Sequence, residues 1–246
     1  MSSVETDSEA LRSAILSTVE YFQSDEFIDT FLQISSDVLV LGSMRIPLHS
    51  YRRVGFFLVG KVAVILAKFI AKRMKESAEI WCLAPLGTKT VLYESSPVRF
   101  LFGNHPVPGK ESYESSLQLK EVICSFDQRD LLVFLFSGGS SALLTVPVPP
   151  LTRDMYSSLN DRLLRSGLTI HKMNVFRRLL DEPKGGGLIL WSLARVIAGY
   201  ISDVVGDNLE LIASGPTIGL TLAESETSIE SFPEFNTLDK KLAECL

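Results

Sequence analysis

Cysteine is scarce in this chain. Cys82, Cys124 and Cys245 are the three in 246 residues. They are odd in number and far apart, and no two stand at CxxC spacing. A thiolate metal knuckle is therefore excluded, and the pattern fits reduced thiols in a cytosolic setting. Long apolar runs are missing too: Lys or Gly breaks each one well short of the ~20 residues a membrane-spanning helix needs. The first twenty residues carry Glu5, Asp7 and Glu9 before the first Arg, Arg12. A transit peptide would be basic and acid-poor, and a signal peptide would hold an apolar core, so neither is read here. Excess positive charge is also lacking, with 24 Lys and Arg against 29 Asp and Glu and a net charge of −5. No basic stripe with interleaved aromatics appears, so no nucleic-acid partner is expected, nor a membrane. The expected location is the cytoplasm.

What is present is an ordinary globular composition, 46% hydrophobic and 22% charged, long enough for a full core. The rest of the chain is arranged around residues 131–144, LLVFLFSGGSSALL. Six apolar residues in a row predict a strand buried on both faces, as in the middle of a parallel sheet. Ser137, Gly138, Gly139, Ser140 and Ser141 then turn the chain into a helix start. Bare backbone N–H groups there, at the sheet's carboxyl edge, make an anion-binding layout. A plain Ser/Gly turn is the competing reading.

In chain order, residues 8–22 read as an amphipathic helix on Leu11, Ile15, Val19 and Phe22. A second helical segment is expected through Phe27, Phe31 and Ile34. Residues 38–41 and 44–47 suggest a hairpin across Gly42-Ser43. The first βα unit begins at Val54: VGFFLVG is a strand, and Lys61 opens a helix. A cation at a helix N-terminus opposes the dipole and is best tolerated with an anion between them. Residues 80–84 and 98–102 are further strands. The second leads into a proline-bracketed loop where His105 either faces a ligand or holds the loop by a hydrogen bond. Residues 111–123 are helical by pattern. Thr152 caps another helix, and residues 170–180 place Asn174 and Arg177 on one helical face. Lys184, Gly185, Gly186 and Gly187 read as a second anion cradle or a plain turn, followed by a helix over residues 188–196. Residues 199–207 read as a short strand ending in Asp203 and Asp207, which could hold a metal, take a proton, or be solvated. Beyond Gly219 the sequence turns polar and acidic.

Five blocks lie in one order: VGKVA around Lys61, GNHPVPG, FSGGSSALLTVPVPPLT, KMNVFRRLL with KGGGL, and SDVVGDNLELIASGPT. In these the chain resembles the N-terminal domain of the class-II glycerate 2-kinase family, whose second half is the MOFRL domain. The resemblance runs from about Ala10 to Thr217. Leu58, Gly109, Leu179 and Val205 depart from the usual Gly, Asp, His and Pro, and nothing after Gly219 resembles the second domain.

Alternation of apolar strands with helical patterns predicts a three-layer α/β/α Rossmann-like fold with a mostly parallel sheet. The resemblance implies that this domain covers residues 1–220, followed by a divergent acidic tail over 221–246. It implies transfer of the ATP γ-phosphate to D-glycerate, giving 2-phosphoglycerate, with Mg²⁺. Lys61 and Asp203 would be catalytic, Lys61 on the transferred phosphoryl group and Asp203 on the attacking hydroxyl. Ser137 to Ser141, His105, Lys184, Gly185 and Gly186 would bind phosphate or carboxylate, Asn174 and Arg177 would orient substrate, and Asp207 would help hold the metal. Half of a two-domain cleft is expected to turn over negligibly alone. Two alternatives stand beside this. One is a truncated, inactive isoform that binds ligand weakly or pairs with a MOFRL-containing subunit or a second copy. The other is a phosphosugar-binding domain of sugar-isomerase type.

Overall fold

The computed structural model describes residues 2–74, 77–90, 97–202 and 204–220, with backbone alone for residues 2–10. Helix α1 (Ser2–Phe22) packs the rings of Tyr21 and Phe22 against Phe27 in α2 (Asp25–Asp29), the Phe22 and Phe27 centroids 4.9 Å apart. The expected continuation of the second helix through Phe31 and Ile34 does not form. Residues 32–34 are instead β1 (Leu32–Ile34), paired antiparallel with β2 (Val38–Leu41), which pairs in turn with β3 (Met44–Pro47). The reason is tertiary. In register with Leu41, Leu32 is fully buried in the same core as Leu39 and Ile46, which a helix at this point would not reach.

The main sheet follows. Strand β4 (Val54–Val59), helix α3 (Ala63–Met74), strands β5 (Glu79–Pro85) and β6 (Val98–Gly103), helix α4 (Lys110–Cys124) and strand β7 (Leu131–Phe136) succeed one another. The short helix α5 (Ser140–Leu143), helices α6 (Arg153–Arg165) and α7 (Ile170–Leu180), and strand β8 (Arg195–Tyr200) complete it. The strand order is β6-β5-β4-β7-β8 and every pairing is parallel. The three-layer α/β/α expectation is therefore met. All six residues of β4 and of β7 are buried, as continuous apolar runs in central parallel strands should be.

Alternation divides the strands between two cores. Phe56, Leu58, Ile80, Cys82, Val133 and Leu135 face α3 and the small sheet. On the other face Phe57, Val59, Trp81, Leu83, Phe134 and Phe136 meet Leu119 and Ile123 of α4. Each such Leu or Phe contributes about 1.5–3 kcal/mol of transfer free energy. A third cluster, Tyr156, Leu159, Leu163, Phe176 and Leu180, joins α6 to α7. At the amino edge, Arg52 grips Asp130 with two hydrogen bonds of 3.0 and 2.7 Å and fixes the starts of β4 and β7 side by side.

Three more expectations are corrected. The helix over residues 188–196 is a 3-10 turn (Gly187–Trp191) followed by the start of β8. The strand expected over residues 199–207 is β8 itself and ends at Tyr200. Arg195 pairs with Leu131, so the apolar pattern of residues 195–200 serves the edge of the sheet. Lys61 also precedes α3, which starts at Ala63.

Candidate active site

The connection from β4 goes to β5 on one side of the sheet, and that from β7 to β8 on the other. The loops after β4 and β7 therefore diverge at the carboxyl edge and leave a crevice, the usual ligand position in open parallel sheets. Gly60 and Lys61 leave β4 there, and residues 137–139 leave β7. The two loops are stitched together. Lys61 N–H donates to the Gly138 carbonyl at 3.0 Å, and Val62 N–H to Ser137 Oγ at 3.3 Å. Ser140 Oγ lies 2.8 Å from the Val59 carbonyl and 2.6 Å from that of Ser137. Gly60 has φ +125°, and a Cβ on it would collide with the Ser137 hydroxyl and with its carbonyl. The hydroxyls of Ser137 and Ser140, both buried, are thus taken up in holding the loops.

Other groups face outward. The N–H groups of Gly138 and Gly139 have no acceptor among the described residues. Gly139 has φ +92°, and a Cβ there would stand 3.1 Å from His105 Cδ2 and 3.5 Å from Lys61 Cγ. Lys61, His105 and the glycine pair, apart in sequence, therefore meet at one point. Both side chains are exposed there. Partial burial and, next, the Lys61 charge hold the His105 imidazole below its ordinary pKa, so it is neutral at pH 7. A cation, free backbone donors and a neutral imidazole around a left-handed glycine can receive an anion.

A second block closes on this loop from the side. Ser141 Oγ is 3.0 Å from Ser214 Oγ, which is 2.9 Å from Asn174 Oδ1. Asn174 Nδ2 donates to the Leu211 carbonyl at 3.3 Å. Ala213, Ser214 and Gly215 are consecutive left-handed residues, at φ +55°, +61° and +60°. Gly185 and Gly186 donate their N–H groups to the Ser214 and Gly215 carbonyls, at 3.1 and 2.9 Å. A Cβ on Gly186 would come within 2.8 Å of Gly219 Cα. The bare backbone of the KGGG turn thus lies against another stretch of the chain.

Lys184 points inward. Its ammonium is bonded to the Asp181 carboxylate and lies 3.3 Å from the Tyr156 hydroxyl, all three buried. Asp181 also accepts from Thr145 Oγ1 at 2.7 Å and Val146 N–H at 2.6 Å. Desolvation lowers the Lys184 pKa despite that partner. Arg177 is buried too, its Nε donating to Asn160 Oδ1 at 2.9 Å. Asp207 is exposed in the loop after β8, at φ +49°, and Asp203 lies outside the described residues. Among the described residues no group of three or more His, Cys, Asp and Glu could hold a metal ion. No described helix is long and apolar enough to cross a membrane.

Sequence reasoning passed over Ser214, Asp181, Tyr156 and Asn160. IASGPT stands in the sequence as the end of a family-like block, and its three small residues before a proline suit the left-handed arc.

A family profile described as "Domain of unknown function (DUF4147)" matches residues 10–243. The chain belongs to this family. Curated relatives that it matches are named glycerate kinases, as the motif resemblance implied. The chain is 39% identical to "Glycerate kinase" of Danio rerio over 132 residues, 53% of this chain and 26% of that one. It is 33% identical to "Glycerate 2-kinase" of Pyrococcus horikoshii over 66% of this chain and 38% of that one. With the Sulfurisphaera tokodaii "Glycerate 2-kinase" the identity is 30%, over 79% and 47%. The chain thus spans less than half the length of each of these relatives. Among solved structures, the PH0495 protein of P. horikoshii OT3 superposes with a TM-score of 0.77 at 24% identity, over 95% of this chain and 54% of that one. The Thermotoga maritima glycerate kinase gives 0.63 at 26%, over 78% and 48%.

Proposed function

We propose that this family member takes part in ATP-dependent phosphorylation of D-glycerate to 2-phosphoglycerate. The observation that carries the reading is the meeting of Lys61, His105 and the Gly138-Gly139 N–H groups at the switch point of the sheet. Phosphoryl transfer asks mainly for positioning and charge neutralisation, and these groups offer both. In this reading Lys61 neutralises charge on the transferred phosphoryl group, and the Gly138 and Gly139 N–H groups receive its oxygens. Asp203 takes the proton of the attacking hydroxyl. Ser141, with Asn174 behind it through Ser214, forms a side wall. Arg177, Lys184, Gly185 and Gly186 hold that wall in place.

Mg²⁺ would neutralise phosphate charge. It is commonly held by one or two carboxylates together with the nucleotide's own phosphates. Asp207, an exposed hard-oxygen donor in a carboxyl-edge loop, suits that requirement, with Asp203 four residues before it.

The test is a coupled assay with ATP, Mg²⁺ and D-glycerate. It is run on the chain alone and with the part of a glycerate 2-kinase that this chain does not match. Turnover in either arm that Lys61→Ala abolishes supports the reading. Absence of turnover in both arms, with no shift of melting temperature by ATP or D-glycerate, overturns it.

A further inference from the structure

Beside the anion point lies a second crevice, walled by the loops that leave the neighbouring strands β5 and β6. Its lining is Pro85 at the end of β5 with Leu86 just beyond it, and Asn104, His105, Pro106 and Val107 from the loop after β6. Leu86 N–H donates to the Gly103 carbonyl at 2.9 Å, so the two loops leave the sheet side by side. The cavity measures about 360 Å³, within the range of small-molecule sites, ~300–1,000 Å³. Its make-up is mixed, with four apolar residues and two polar ones. Leu86 stays 52% exposed at the rim, a large apolar side chain with no core to fill.

We propose that this crevice takes the base of the nucleotide whose phosphates lie at Lys61 and Gly138-Gly139. The proposal rests on the phosphoryl-transfer reading above and adds where, and by what, the nucleotide is told apart from a bare polyphosphate. Three observations carry it. His105 belongs to both places, lining the crevice while its ring lies against Gly139, so the two are adjacent and share that side chain. The order β6-β5-β4-β7 puts the crevice, between the ends of β5 and β6, two to three strand spacings from the glycine loop, ~10–15 Å, a span that a ribose and its phosphates bridge. Asn104 is also fixed in orientation. Its Oδ1 accepts from the N–H groups of Glu111 and Ser112 at 3.1 and 3.3 Å, capping α4. The Asn104 side chain also hydrogen-bonds the Glu111 carboxylate, so it is a fixed polar wall of the crevice. Apolar faces beside a fixed polar wall suit a flat heteroaromatic base better than an aliphatic acid.

The experiment is calorimetric titration of the 246-residue chain with ADP and, separately, with inorganic tripolyphosphate. The variants are Leu86→Asp and Leu190→Asp, the second at an 83% exposed position on the turn before β8. Expected are tighter binding of ADP than of tripolyphosphate by the parent chain and at least tenfold weaker ADP binding by Leu86→Asp. Tripolyphosphate binding by Leu86→Asp, and all binding by Leu190→Asp, should be unchanged. Circular dichroism and melting temperature check that Leu86→Asp stays folded. Val107→Asp, on the facing loop, is the second variant and should give the same selective loss. Unchanged ADP affinity in both crevice variants, or equal losses for both ligands, overturns the base site. Tripolyphosphate binding as tight as ADP also overturns it while leaving the anion point standing. Binding of neither ligand by the folded chain overturns the phosphoryl-transfer reading along with it.

Discussion

Lys184 and Asp181, three residues apart, close an ion pair whose side chains are 1% and 0% exposed. A pair so far out of water is costly to break on one side, because the surviving charge is left without solvent or partner. Lys184→Met should lower unfolding free energy by about 3–5 kcal/mol. The double variant Asp181→Asn with Lys184→Met should recover much of that loss. Urea denaturation of both variants checks this. Equal stability of the single and double variants would mean the pair is not coupled.

Gly60 cannot be replaced. At φ +125° an L-residue is strained, and a Cβ would press the Ser137 hydroxyl and backbone out of the loop. Gly60→Ala should cost about 2–4 kcal/mol, combining backbone strain with overpacking. Gly42→Ala, at φ +57° with nothing within 4 Å, carries the backbone cost without the clash and should lose about 1 kcal/mol. Thermal and urea melts of the two variants rank them.

Lys61 is exposed, so its removal tests binding apart from stability. Lys61→Ala should change unfolding free energy by no more than about 0.5 kcal/mol. It should weaken tripolyphosphate binding at least tenfold, as expected for a charge-assisted contact worth about 1.5–3 kcal/mol. Titration calorimetry beside a urea melt separates the two effects.

The central strands were legible because β4 and β7 are unbroken apolar runs, and only burial on both faces makes such a run sensible. The meeting of Lys61 with the Ser-Gly loop was legible for the same reason, since parallel strands share a carboxyl edge. Residues 32–34 and 188–196 were not. Short apolar patterns fit helix or strand equally, and Leu32 and Arg195 are decided by partners nine and sixty-four positions away. The direction of Lys184 was hidden as well. A KGGG turn offers its lysine either to solvent or to the protein, and only the fold brings Asp181, Tyr156 and Thr145 around it.

His105 gives the site a pH dependence of definite sign. Its folded pKa lies below the ordinary 6.5, first through burial and then through Lys61. Between the two values the unfolded chain holds more protons, so stability rises with pH there and is lost as pH falls through the folded pKa. His105→Gln should remove that slope. In an NMR titration of the imidazole, Lys61→Gln should move the His105 pKa part of the way up. A pKa that stays put in Lys61→Gln would separate the two side chains electrostatically.

The Arg52–Asp130 clamp joins residues 78 positions apart, and the main sheet holds no hairpin to bring them together early. Parallel β4 and β7 can pair only after α3, two further strands and α4 have been threaded between them. Non-local closure of this kind is slow, since loop entropy is lost before the contacts form. The crevice at the switch point consequently has no precursor during folding. A nascent chain would carry both glycine loops for a long interval before it could capture any anion. Pulse-labelled hydrogen exchange should therefore show the Lys61 and Ser137 amides, bonded across that seam to the Gly138 and Val59 carbonyls, gaining protection together with the central strands.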